Sequence, residues 1–239
     1  VSRGTDQVEG RRAVRELLSA RRRRVRTIWI GGRGLDDVED LAREAGAKVH
    51  RVAPEEIDRR ARSEAPQGVI AAADPLREVD LDRLLADPRA FLVALDGVTD
   101  PQNLGAVART AESAGATGLV LPRHRAARIT PTVTKAAAGA LEHLPVATVS
   151  GVPAALARAR RADVWTVGLD AAGDTDLFEL AVADQAVMLV LGAEGRGLSR
   201  LARERCDVLA RIPMRGAIES LNVAAAAALA CYEVARHRN

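Results

Sequence analysis

Between residues 91 and 212, short apolar runs without polar alternation are separated by helical patterns. The runs fall at 91–95, 118–121, 146–149, 164–168, 187–191 and 208–212. The helical stretches fall at 104–114, 132–140, 153–159, 198–205 and, after the last run, 221–236. A strand that is apolar on both faces must be covered on both faces. Joined through helices, such strands form a mainly parallel sheet. Periodicity alone therefore predicts an α/β doubly wound domain, drawn without a knot.

A smaller α/β unit precedes it. Residues 7–20 read as a helix with Val8, Val14, Leu17 and Leu18 on one side. A strand at 27–30 closes on Gly31 and Gly32, and a helix at 35–45 ends at Gly46. A strand at 48–52, a helix at 54–62 opened by Pro54 and a strand at 68–73 complete the alternation. Residues 74–90, rich in Asp, Pro and Arg, read as a connecting stretch with one helical turn at 81–85. The expected domains are 1–75, a linker over 76–90, and 91–239.

Composition narrows the functions open to these domains. Aromatic residues make up 2% of the 239 residues, so Ala, Val and Leu must fill the core. So few rings also argue against base recognition on stacking platforms. Net charge is only +3, but residues 1–34 carry ten arginines against Asp6, Glu9 and Glu16. Such a patch is the footprint of a phosphate-backbone binder, or else a solvated helix end. Arg11, Arg12, Arg22 and Arg23 are its candidate RNA contacts. Cys206 and Cys231 have neither metal-type nor disulfide-framework spacing, so no metal and a reducing cytoplasm are expected. No signal peptide is visible, and the apolar runs are too short or too Ala-rich for a membrane span. The run 224–230 reads as a helix with close neighbours in this chain or in a second subunit.

Three strand–turn–helix segments carry the chemistry. The first runs from Leu95 to Ala111. Leu104, Val107, Ala108 and Ala111 share one helix face, with Arg109 nearly opposite and free to reach a ligand. Asn103 could be a helix cap. The second, 190–198, sends a buried strand into a Gly-rich turn carrying Glu194. Its glycine order is not the dinucleotide fingerprint, and no phosphate-loop Gly-Lys-Ser/Thr follows. In the third, 212–225, a strand ends at Pro213 and an Ala-rich helix starts near Ser220 or Asn222.

In order and spacing these segments read N-x-G-x-x-x-R-T-A, L-G-x-E-G-x-G and I-P-M-x-G-x-x-x-S-L-N-V-A. This set resembles the SpoU (TrmH-like) branch of the SPOUT methyltransferases over residues 91–239. The stretch from Val8 to Val14, with Gln67-Gly68-Val69, resembles the family's RNA-binding domain. The layout is similar to the bacterial subgroup acting on a guanosine of 23S rRNA. The chain departs from that subgroup at Arg12 and Pro66, where His is frequent. The resemblance implies a trefoil α/β-knot catalytic domain after a small ribosomal-protein-like α/β domain, and a homodimer. It implies S-adenosylmethionine-dependent methylation of an RNA ribose 2′-hydroxyl. The implied catalytic residues are Arg109, Asn103, Glu194, Ser220 and Asn222. The implied cofactor positions are Leu191, Gly192, Ala193, Gly195, Ile212, Met214 and Leu221. A resistance or tRNA methyltransferase, a non-catalytic RNA-binding protein and a dinucleotide enzyme stay open as rivals at this point.

Overall fold

A computed structural model describes residues 4–124, 126–217 and 220–238. The chain divides into two compact units: Val1–Arg77 with Arg128–His143, and Glu78–Ala127 with Leu144–Asn239.

The first unit is built on a four-stranded mixed sheet of order β1-β4-β2-β3. The strands are β1 (Asp6–Glu9), β2 (Val25–Ile30), β3 (Lys48–Arg51) and β4 (Val69–Ala73). Helices α1 (Arg11–Ala20) and α2 (Asp36–Glu44) bury Val14, Leu17, Leu18 and Val38 against Val8, Ile28, Ile30 and Ala71. Helix α3 (Pro54–Arg60) buries Ile57. The helix expected at 7–20 is thus a strand followed by a helix. Gly10, at φ 93°, turns the chain between them, a conformation costly for any residue with a Cβ. Val8 faces the core from β1, which pairs antiparallel with β4.

Residues 128–143, expected in the catalytic domain, pack with the first unit instead. Helix α6 (Pro131–Ala136) contacts β1 and α1. Gly139 lies so close to α1 that an added Cβ would sit 2.3 Å from Glu16 Cβ. Arg23 Nη2 meets Glu142 at 2.5 Å and its Nη1 meets Asp6 at 2.9 Å. The Arg23 and Glu142 side chains are only 6% and 3% exposed. Two charges taken out of water hold only as a pair, so this contact ties the segment to the unit.

The second unit carries a seven-stranded sheet of order β7-β6-β5-β10-β8-β11-β9, parallel throughout. Its strands are β5 (Phe91–Asp96), β6 (Gly118–Pro122), β7 (Val146–Val149), β8 (Trp165–Leu169), β9 (Thr175–Asp176), β10 (Val187–Gly192) and β11 (Val208–Arg211). Its helices are α4 (Leu81–Leu85), α5 (Pro101–Ser113), α7 (Val152–Arg161), α8 (Arg200–Arg205) and α9 (Val223–His237). The proposed linker is no tether. Leu81, Leu84 and Leu85 of α4 lie in the core beside Leu156 and Val190. Strand β9 has two residues, below any periodicity signal.

Chain order runs outward from β5 through β6 to β7, then returns to the other side of β5 with β10 and β8. The order therefore reverses between β5 and β10. In open parallel sheets ligands bind at the carboxyl ends of strands flanking such a reversal.

Candidate active site at the carboxyl edge of the parallel sheet

The turn after β5 begins at Asp96, whose carboxylate accepts from Ser199 N at 2.7 Å. Gly97 follows at φ 80°, and Asp100 caps α5 by accepting from Gln102 N at 2.9 Å. Asn103 is therefore not the cap. It sits one turn inside the helix, buried, with its side chain aimed at the β10 turn. Its Nδ2 donates to Asp100 Oδ2 at 3.0 Å and to Glu194 Oε1 at 2.6 Å. Its Oδ1 accepts from Asn222 Nδ2 at 3.0 Å.

Asn222 caps α9, its Oδ1 accepting from Ala224 N at 2.8 Å, while its Nδ2 also donates to Glu194 Oε1 at 2.8 Å. Two amides thus hold one carboxylate, and the three residues come from the three sequence segments. Asp100 completes the cluster and was not singled out from sequence. The Asp100-Pro101 step opening α5 was the available signal, since Pro at the first helical position follows a capping residue.

Glu194 stands in a turn closed by reciprocal backbone bonds, Ala193 N to Gly197 O at 3.1 Å and Gly197 N to Ala193 O at 2.8 Å. A Cβ on Gly192 would lie 2.1 Å from Gly197 C, so only glycine fits there. Gly195 and Gly197 take positive φ and leave bare backbone at the rim.

Arg109 is exposed on α5, opposite the buried Leu104, Val107, Ala108 and Ala111, as its spacing predicts. Among the described residues it has no hydrogen bond or ion pair. Ser220 is exposed two residues before the α9 cap, and Leu191 is buried at the end of β10. Ile212, half-buried, leaves β11 at the same carboxyl edge, followed by the exposed Met214. Met214 and Leu221 are 39% and 40% exposed. Bare glycine backbone with uncovered apolar side chains at this edge suits a flat heterocycle carrying a polar tail, so an adenosyl group fits these residues.

The N-terminal arginines separate. Arg11 pairs with Asp37 at 3.1 Å but stays exposed. Arg12 and Arg15 are exposed, and Arg22 approaches His143 O at 3.5 Å. Arg23 corrects the sequence reading: its guanidinium is buried on Glu142, Asp6 and Asp74 O, leaving no donor face for RNA.

Residues 90–232 match the SpoU rRNA methylase family, and residues 7–79 match the RNA 2′-O-ribose methyltransferase substrate-binding domain. The chain is similar to the 23S rRNA (guanosine-2′-O-)-methyltransferase RlmB of Bordetella pertussis, 42% identical over 83% of this chain and 82% of that one. The Pseudomonas putida RlmB is 36% identical over 98% and 97%. The SpoU methyltransferase AviRb of Streptomyces viridochromogenes, solved with AdoMet, superposes with a TM-score of 0.84 at 33% identity, covering 98% and 91%. The chain belongs to the SpoU methylase family. It is an S-adenosylmethionine-dependent RNA 2′-O-ribose methyltransferase.

Proposed function

We propose that this enzyme methylates the ribose 2′-hydroxyl of a guanosine in 23S rRNA, with Arg109, Asn103, Glu194, Ser220 and Asn222 as its catalytic constellation. The observation that carries the reading is the Asn103–Glu194–Asn222 cluster at the carboxyl edge; Arg109 lies about two helical turns along α5 from Asn103, exposed and without an ion pair among the described residues. S-adenosylmethionine supplies an electrophilic methyl on a positively charged sulfur. At the ribose 2′-oxygen an O–CH3 bond would form as the S–CH3 bond breaks, leaving a neutral thioether, with the hydroxyl proton passing to water.

A guanidinium with a pKa above roughly 12 is a poor base. Arg109 instead binds the phosphate next to the target ribose, through two parallel N–H···O bonds, and so orients the 2′-oxygen. Asn103, Asn222 and Glu194 lock the two turns that frame the cofactor positions Leu191, Gly192, Ala193, Gly195, Ile212, Met214 and Leu221. Much of the acceleration then comes from positioning, which contributes up to about 7–11 kcal/mol in well-oriented systems.

Arg11, Arg12 and Arg22 supply salt-dependent affinity for the RNA backbone. A homodimer is the working unit. Leu229 and Tyr232 leave an apolar stripe of α9 uncovered, Tyr232 being 54% exposed, and a second copy would bury it. The expected compartment is the cytoplasm; no described helix is long and apolar enough to cross a membrane. The test offers unmodified 23S rRNA, 16S rRNA and tRNA as acceptors and maps the methylated nucleotide. A single guanosine of 23S rRNA is the predicted product; label on tRNA alone would refute the assignment.

A further inference from the structure

The first unit's sheet has one face against α1 and α2 and another only half covered. On that second face Gln7 and Glu9 of β1 and Ile70 and Ala72 of β4 are buried. The half formed by β2 and β3 is less covered: α3 contacts β2, Thr27 and Trp29 are half-buried, and Lys48 and His50 are exposed. Trp29 and His50 are directly paired across the two strands. Their rings are 18° from parallel with centroids 6.3 Å apart. The Arg60 guanidinium lies 4.9 Å from the Trp29 ring centroid. Glu56, one turn back on α3, holds Arg60 Nε at 2.8 Å, and Arg60 O accepts from Gln7 Nε2 at 2.9 Å. The cation is thus fixed over the ring from both its head and its backbone. Lys48, two residues from His50 on the same face, has no ion pair among the described residues.

A chain with five aromatic residues in 239 places one of its two tryptophans on this less covered face rather than in a core. We propose that Trp29, His50 and Arg60 form a stacking platform for an unpaired base of the RNA substrate, with Lys48 on the adjoining phosphate. The proposal rests on the RNA methyltransferase reading and adds a surface to it. Trp, His and Arg planes are the groups on which unstacked RNA bases settle. Glu56 offsets the Arg60 charge, so Lys48 is the platform's uncompensated cation, placed for the adjoining phosphate. It lies within the residues that match the substrate-binding domain model. Base identity is read poorly by stacking, so the platform holds the RNA by the presence of an unpaired nucleotide.

The test uses the full enzyme with Trp165→Phe, so that Trp29 is the sole indole. Titration with the unmodified RNA substrate should quench Trp29 fluorescence saturably, and a fully paired duplex of equal length should quench it far less. Trp29→Leu should raise the KM for RNA roughly 10-fold, the scale of one lost base stack, with kcat within about twofold. Trp29→Tyr, which keeps a stacking ring, should restore most of the loss. If Trp29→Leu fails to fold, His50→Ala and the quenching experiment carry the same comparison. Unchanged fluorescence with a wild-type KM in the Leu variant would overturn the platform. So would equal quenching by the duplex, or quenching by added protein with none by RNA. Quenching by RNA without methyl transfer would uphold the platform and overturn the methylation reading instead.

Discussion

Asn103 is the residue on which the site's geometry converges, because its one amide bridges Asp100, Glu194 and Asn222. Asn103→Ala removes a buried donor and acceptor together and frees the Glu194 turn. Transfer should fall about 100-fold, the loss expected from a displacement near 1 Å at a positioned site. Cofactor affinity, measured by calorimetry, should change less than tenfold. Arg23→Ala should cost about 3–5 kcal/mol in urea unfolding, because Glu142 is left buried and unpaired. The exposed Arg12→Ala should stay within about 0.5 kcal/mol. The two arginines are alike in sequence, and nothing local distinguishes them: Arg23 finds its acid 119 residues away. The cysteines give a third prediction. Burial pushes both Cys206 and Cys231 up to about 12. The thiolate is the reactive form, so neither should alkylate in the native protein at pH 8. Rapid labelling without denaturant would contradict that burial.

At the scale of elements, the β10 turn is the most constrained piece. Gly192→Ala would drive a methyl into Gly197 and Leu198. It should cost at least about 1–3 kcal/mol, the usual penalty of overpacking, and weaken cofactor binding measurably by calorimetry. Wild-type stability and affinity in that variant would mean the turn is looser than its contacts imply. The catalytic elements were legible because their signals are local. Leu104, Val107, Ala108 and Ala111 mark the buried face of α5 by spacing alone, and Arg109 falls opposite. Strand β1 was not legible. Its four residues, with Val8 the lone buried aliphatic, merge into the pattern of α1, and only its antiparallel pairing with β4 separates them. The helix at 131–136 was visible, but its neighbours were not, since packing partners leave no trace in periodicity. The knot implied by family resemblance likewise has no local sequence signal.

At the scale of the whole molecule, charge and chemistry are carried by different stretches of chain. With the N-terminal arginines in their proposed role on the RNA backbone, binding should weaken linearly in log–log terms with salt. Arg12→Ala should reduce that slope by about 1, as removal of one phosphate contact does. Arg109→Ala differs in kind: in the role proposed for Arg109, the variant would lose alignment of the reacting group. The most direct test of the account is transfer of labelled methyl from S-adenosylmethionine to unmodified 23S rRNA by wild type and Arg109→Ala, with cofactor affinity measured alongside. Wild type should label one guanosine ribose, and the variant should lose the label while the cofactor still binds. Undiminished transfer by Arg109→Ala would contradict the role proposed for Arg109.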